Sequence, residues 1–503
     1  NTYNPLFNRN QAVMQAGGLA GSNSTWGAEG VVSGIYDKLS LSAGYTRFDT
    51  DGWRENANQD DKIANIFGQY ELTYKTSLQA EYRYRDTQKG DLALRFDPDS
   101  FFSNLEEEAK KNSIRFGLRH SFTPGSIFLG SFIYQDNKTD VKNRVEDQEA
   151  LPGALLIIEP ETDIDEDAYS GEVQHLFRSE YINLTSGAGY FNINGEEQIN
   201  RKVSVFFPPP LTDLSRSAFL PPQKKNLDVN HTNLYLYSYI NFPKNVVFTL
   251  GASADFFNND FSEVEDRNQV NPKLGITWNP FEATTLRAAT FRVLKRTLIT
   301  DQTLEPTQVA GFNQFYDDVT STESWFYGLA LDQKFTQNIF GGISASKRDL
   351  KVPAPVGDSV FANKRVDWEE HFGRAYFYWT PFRWITLNAE YLYEKYDYTE
   401  EFNLGARKVT THRVPLGLNF FHPSGLTAML KGTYFDQDGI FLPLLKDRLP
   451  ENYVSGNDHF WLFDAALSYR LPKRYGLVTV GVRNLFDKEF NYYETDPVNP
   501  SYQ

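Results

Sequence analysis

Cysteine is absent from all 503 residues, which excludes a disulfide frame and any thiolate metal site. Basic residues are in deficit: 50 Lys and Arg stand against 65 Asp and Glu, a net charge of -15, so nucleic acid finds no basic surface to bind. Mean hydropathy is -0.50, and no stretch approaches the roughly 18 unbroken apolar residues of a membrane-spanning helix. Motifs of catalysis are missing as well. The histidines stand singly, with no His-x-x-x-His pair, no Gly-x-Ser-x-Gly elbow and no phosphate loop, so neither an enzyme nor a cofactor is expected. The first residue is Asn1, and no charged-then-apolar leader follows it, which is expected of a mature chain or of a piece of a longer one.

What is abundant is aromatic. There are 40 Phe and 29 Tyr against 2 Met, and these aromatics are distributed with period two. Over 77–85, Ser77, Gln79, Glu81, Arg83 and Arg85 alternate with Leu78, Ala80, Tyr82 and Tyr84. Over 113–122, Ser113, Arg115, Gly117, Arg119 and Ser121 alternate with Ile114, Phe116, Leu118, His120 and Phe122, and 246–256 behaves likewise. Alternation puts the two sets on opposite faces of a strand. One face is apolar and aromatic; the other holds full charges and glycine. The runs are about 10–12 residues long, the length a tilted strand needs to cross hydrocarbon rather than the ~5–6 of a soluble sandwich. Lipid leaves no open sheet edge satisfied, so such strands must close into a barrel.

Ten short connections, from Tyr36–Leu39 to Leu471–Tyr475, alternate with long polar loops at 49–62, 88–112, 137–167, 193–231, 257–270, 294–320, 350–366, 397–406 and 437–458. Several short ones place an aromatic just before proline, as in Phe122-Thr123-Pro124 and Trp379-Thr380-Pro381. Short turns on one side and long loops on the other are the outer-membrane asymmetry, with the short side periplasmic. Ten turns join about twenty strands; residues 10–21 add a leading strand, and a closing strand is expected beyond Gln503, for a total of about 22. The expected fold is therefore an all-β, antiparallel, up-and-down transmembrane barrel over 10–503, with 1–9 as a periplasmic lead-in, located in the cell outer membrane.

The segment Asn271-Pro272-Lys273-Leu274-Gly275-Ile276-Thr277-Trp278-Asn279-Pro280, followed by Thr284-Thr285-Leu286-Arg287-Ala288-Ala289, resembles the mid-barrel hairpin of TonB-dependent receptors. Val480-Gly481-Val482-Arg483-Asn484-Leu485-Phe486-Asp487-Lys488-Glu489-Phe490 resembles their penultimate strand and its exit. The resemblance implies a 22-strand barrel that takes up scarce ligands such as ferric chelates or cobalamin with inner-membrane energy. It also implies a plug and a TonB-contacting box, and neither is seen ahead of the first strand here. A TonB-type energising complex is thus a partner only through a plug lying elsewhere. The competing expectations are a plugless porin or export conduit attached to a periplasmic domain, and a scaffold barrel that docks a periplasmic or surface protein.

Candidate site residues fall into three groups. Glu81, Arg83, Arg85, Arg115, Arg119, Asp255, Glu390, Lys431, Asp464 and Arg470 are expected to face the lumen, where they either guide solute or neutralise one another across strands; Lys273 and Arg287 belong to strands whose faces are mixed. Asp49, Asp51, Asp60 and Asp61 supply oxygen at a density suited to a weak calcium site, against the simpler reading of a solvated acidic loop. Phe206, Phe207 and Phe219, on proline-rich stems, and Phe312 and Phe315 are expected either to contact a ligand or partner or to pack into the barrel mouth. Ser103 and Glu106 fit a capping box opening a short helix through Lys111, and the 294–320 loop has the mixed composition of a segment folded inward as a constriction. Outer-membrane lipid and lipopolysaccharide complete the expected partners.

Overall fold

The computed structural model describes residues 10–147, 154–259, 266–296, 298–354, 364–398, 405–443 and 452–495. The lead-in 1–9 and any closing strand lie outside the described residues. Twenty-one strands form one continuous antiparallel meander. They are β1 Gln11–Ala20, β2 Trp26–Tyr36, β3 Leu39–Thr50, β4 Gln59–Thr73, β5 Thr76–Lys89, β6 Glu106–Thr123 and β7 Ser126–Lys142. Next come β8 Leu155–Arg178, β9 Ile182–Phe206, β10 Gln223–Ile240, β11 Val246–Asn259, β12 Arg267–Phe281, β13 Thr284–Leu294 and β14 Glu323–Lys334. The last are β15 Ile339–Ala354, β16 Lys364–Phe382, β17 Ile385–Tyr398, β18 Ala406–Phe421, β19 Leu426–Phe441, β20 Val454–Arg470 and β21 Leu477–Val482. Each pairs with its neighbour in sequence; among the described residues β1 pairs only with β2, and β21 only with β20. The short strands Val145–Asp147 and Arg216–Phe219 extend β8 and β9 and bring the sheet to 23 strands.

The alternation read from the sequence becomes two faces. On β5, Leu78 and Tyr82 are exposed while Gln79 between them is buried. On β11, Phe248, Leu250 and Phe256 are exposed, whereas Thr249, Ser253 and Asp255 are buried. Exposed apolar residues and buried polar ones invert the rule for a soluble protein, and lipid contact accounts for the inversion. Aromatics mark the limits of the apolar band. Tyr36, Tyr74, Phe122, Tyr181, Phe242, Phe281, Phe335, Phe382, Phe421 and Tyr475 are exposed at or beside the ten short turns. Higher up, Tyr82 donates to Asn112 (2.9 Å), Tyr190 to Asn230 (2.6 Å) and Tyr134 to Asp167, so each ring stays on the apolar band and each hydroxyl meets a polar row. From Tyr74 to Tyr82 the chain climbs about 26 Å at ~3.3 Å per residue. With a tilt of about 40°, that spans about 20 Å along the membrane normal, most of the ~25 Å apolar height of an outer-membrane barrel.

The structure shortens the loops. β8 has 24 residues and β9 has 25, so the expected loops 137–167 and 193–231 are largely strand. Above the tyrosine row both faces turn polar, which resembles a loop in sequence. The ladder persists because the backbone bonds continue and charges meet across strands, as in Lys138–Asp165 (3.1 Å), Lys202–Glu159 (2.6 Å) and Lys224–Glu196 (2.5 Å). The expected helix from Ser103 to Lys111 is likewise replaced by β6, which starts at Glu106 and pairs Glu107 with Lys89. A capping box is a local signal, and here a neighbouring strand offers the same backbone groups a better ladder.

Candidate functional site: the lumen and its in-folded segments

Register places the inner wall. Glu81, Arg83 and Arg85 share a face with Arg115 and Arg119, opposite the exposed Tyr82 and Phe116. Asp255, Glu390, Lys431, Asp464 and Arg470 also lie opposite exposed apolar neighbours such as Phe256, Tyr391, Leu430, Phe463 and Tyr469. Lys273 and Arg287, whose strands looked mixed, fall on the same inner face. Many of these charges are matched: Arg115 pairs with Glu81, Arg85 with Asp61 (2.8 Å), and Arg374 with Glu390 (3.1 Å).

The four acidic residues weighed for calcium do not converge. Asp49 closes β3 and Asp60 opens β4 on the outer face, where Arg47 reaches both (3.5 and 3.1 Å). Asp61 faces inward and takes bonds from Arg85 and from Thr87 (2.6 Å). Pairing of β3 with β4 shrinks the loop and splits its carboxylates between two faces, and no cluster of three or more metal-ligating side chains is present among the described residues.

The dominant feature inside the barrel is the segment 295–322 between β13 and β14. It turns inward, as its composition suggested. At its tip Gln308–Val309 pairs with Phe312–Asn313 across Ala310-Gly311, both at positive φ (47° and 82°), the geometry of a two-residue hairpin turn. This hairpin lies deep. Its Ala310 sits against Gly275, where an added Cβ would approach the Ala310 Cβ to 2.8 Å, and Gly311 lies beside Arg287, the fourth residue of β13. Val309 packs in a cluster with Tyr235, Tyr237, Ala289, Phe291, Val293 and Phe326.

A polar knot anchors the base of the segment. Arg296 and Glu305 are 2% and 3% exposed and pair at 3.1 Å. Tyr237 donates to Glu305 (2.6 Å), Gln314 donates to Tyr237 (3.0 Å), and Thr303 and the Leu304 amide donate to Glu172 (2.8 and 2.9 Å). Gln174 donates to the Leu304 carbonyl, and Arg115 to Gln302 on the far side. The Arg296 guanidinium lies over Phe191 and Phe315 at 5.1 and 5.5 Å. Burial acts to lower its pKa, but the carboxylates Glu305, Asp255 and Glu172 outweigh burial and raise it. Nearby, Asp255 accepts from His231, Asn233 and Asn271 (2.8, 2.9 and 2.5 Å). Sequence reading marked Asp255 but missed Glu172, Arg296 and Glu305, because their meeting depends on segment 295–322 folding back onto β8, which precedes it by more than a hundred residues.

Two further segments cross the extracellular end. Residues 485–495 rise along β19 and β20, where the Tyr493 amide donates to Gln437 (2.7 Å), Gln437 donates back to the Tyr493 carbonyl (3.0 Å), and Tyr492 packs on Phe435 and Phe460. Residues 90–105 reach over from β5: Phe96 stacks on Phe441 at 4.1 Å, and the Glu494 amide donates to the Leu94 carbonyl (2.9 Å). Arg54 and Asn56 hold this second segment by its carbonyls, Arg54 through Asp91 and Ala93 (2.9 and 2.8 Å). Burial lowers the Arg54 pKa to about 10, with Asp91 acting the other way.

The phenylalanines divide. Phe312 packs on Phe326 (5.4 Å) beneath Arg287, and Phe315 lies under Arg296, so both belong to the inner packing rather than to a displayed surface. Phe206 and Phe219 stand exposed, at 44% and 79%, on top of the tall β8–β10 wall, with Phe207 half-buried between them in sequence.

These features define a class: a large antiparallel membrane β-barrel with a charged, partly occupied lumen. Its fold is that of the outer-membrane transport receptors. The chain is similar to the pyoverdine outer membrane receptor FpvA from Pseudomonas aeruginosa PAO1, at 12% identity and a TM-score of 0.69 over 96% of this chain and 75% of the receptor. It is similar to the siderophore receptor PiuA from Acinetobacter baumannii at 12% identity and a TM-score of 0.68, over 96% and 80% of the two chains. The copper transporter OprC gives 12% identity and a TM-score of 0.69 over 97% and 76%. No protein-family model matches the sequence, and no curated protein matches it.

Proposed function

We propose that this chain is the barrel of an outer-membrane receptor that takes up a scarce solute, with a TonB-type complex supplying energy. The observation that carries the reading is the two-faced register: an apolar belt bounded by aromatics outside, and a continuous charged wall within. Structural neighbours act in the same sense, since their names are those of siderophore, copper and ferric citrate transporters. Lipid and lipopolysaccharide are the environment of the outer face. The tall wall bearing Phe206, Phe207 and Phe219 is the part suited to a surface partner. A second reading, a barrel that docks a partner protein, draws on the in-folded segments, which fill part of the bore. Growth of a deletion strain on limiting ferric chelates or cobalamin separates the two. The uptake reading expects growth to be restored by the gene only while the inner-membrane energising complex is intact. Restoration without that complex favours a passive conduit. Unimpaired growth of the deletion strain on every such solute favours docking.

A further inference from the structure

We infer that the inner wall of β4–β7 holds a binding site for the oxyanion of a small solute, a carboxylate or phosphate group, built around Arg83 and Lys111. The inference rests on the uptake reading for calling the anion a solute, but not for the site itself. Several lumen arginines are already engaged by carboxylates. Arg287 pairs with Asp332 (2.9 Å), Arg374 with Glu390 (3.1 Å), and Arg348 with Glu370 (2.7 Å) and Asp318. On the β4–β7 wall, Arg85 holds Asp61 through two bonds (2.8 and 3.1 Å), and Arg115 holds Glu81 and Gln302. Arg83 and Lys111 differ. Both side chains are exposed, and among the described residues neither has an ion-pair or hydrogen-bond partner.

Register brings uncommitted donors to the same place. Asn65 on β4, Arg83 on β5, Ser113 on β6 and Gln135 on β7 stand opposite one another in a single row. They alternate with the exposed Ile66, Tyr82, Ile114 and Tyr134, so all four face inward. None of the four side chains has a hydrogen-bond partner among the described residues. Lys111 lies two residues above Ser113 and is the diagonal neighbour of Arg83, about 7–8 Å away between Cα atoms. Two long side chains at that separation reach one anion together. Beyond Gln135 the row meets the in-folded segment, where Ile133 and Ala168 pack on Ile299, so the site is walled on that side.

The electrostatics point to the same ligand. Lys111 stands directly opposite Arg85, a juxtaposition of like charges that weakens a strand pair. Asp61 engages Arg85 from the β4 side, away from Lys111, and Glu166 on the other side accepts from Asn137 (2.8 Å). An oxyanion offsets the repulsion that remains. The planar Arg83 fork takes two oxygens of a carboxylate or phosphate at once, and Lys111 adds a point charge. The amides of Asn65 and Gln135 and the Ser113 hydroxyl are left to serve the other oxygens.

The test is calorimetric titration of the detergent-folded chain with citrate and, separately, with inorganic phosphate, at constant ionic strength. Saturable binding of at least one probe is expected, and the tighter of the two tells carboxylate from phosphate. Arg83→Gln is expected to weaken binding about tenfold or more, with Lys111→Gln weaker than the native chain and Arg83→Lys intermediate. Because Arg83 has no protein partner, Arg83→Gln is expected to keep the native melting temperature without probe and to lose the rise that the probe gives the native chain. Lys138→Gln, which removes a base on the outer face of β7, is expected to bind as the native chain does. Absence of saturable binding by both probes would overturn the site, and so would binding that Arg83→Gln leaves intact. Neither result involves uptake or its energy source, so the uptake reading keeps its own test in growth.

Discussion

Glu305 shows what one carboxylate does when it is nearly cut off from water. It is 3% exposed, pairs with Arg296 and accepts from Tyr237. Removing one partner of such a pair leaves the other charge buried, a cost of about 3–5 kcal/mol, whereas removing both is far milder. Glu305→Gln is therefore expected to loosen segment 295–322 and to raise its cleavage rate by protease in the detergent-folded protein. Arg296→Met combined with Glu305→Leu is expected to recover much of the resistance. If the single and double variants are cut alike, the pair does not hold the segment. Gly275 makes a second residue-scale case. Any side chain there meets Ala310, so Gly275→Val is expected to unseat the hairpin, with the same protease readout, while the strand pairing of β12 survives.

At the scale of the element, adjacent positions on one strand have opposite requirements. Leu430 lies outside on β19 at 55% exposure, and Met429 lies inside. Leu430→Arg is expected to cost about 2–4 kcal/mol in urea unfolding from lipid vesicles, the price of arginine near the bilayer midplane. Met429→Arg is expected to change stability little, because its side chain meets water. Equal costs at the two sites would reverse the assigned faces. The extracellular clasp is a second element. Phe96→Ala removes a stacked ring from Phe441, and the expected result is faster protease cleavage within 90–105 without loss of the barrel. Strand ends above the membrane were the elements sequence reading lost. Polarity on both faces reads as loop, yet Tyr82, Tyr134 and Tyr190 hold the ladder at the point where lipid ends and charge pairs begin.

For the whole molecule, the apolar exterior sets the solvent. The purified chain is expected to give a β-type far-ultraviolet spectrum in detergent micelles and to aggregate once detergent is removed. A compact monomer in plain buffer would contradict the lipid-facing assignment. The ten short turns, the leading strand and the class of fold were legible in the sequence, because a period of two over long runs has few physical solutions. The same alternation assigns faces to the charges: Tyr82 is exposed, and Glu81 and Arg83 on either side of it point the other way.

What the sequence determined by itself was thus the part that depends on neighbours along the chain within the membrane: which residues alternate, where the short turns fall, and which face a clearly alternating side chain takes. The meeting of Arg296 with Glu305 and Glu172, the depth of the 308–313 hairpin, and the division of Asp49 and Asp60 from Asp61 were settled only when the sheet curled round on itself. Those contacts depend on which strands lie around each segment, and their strength comes from burial, which no local pattern records.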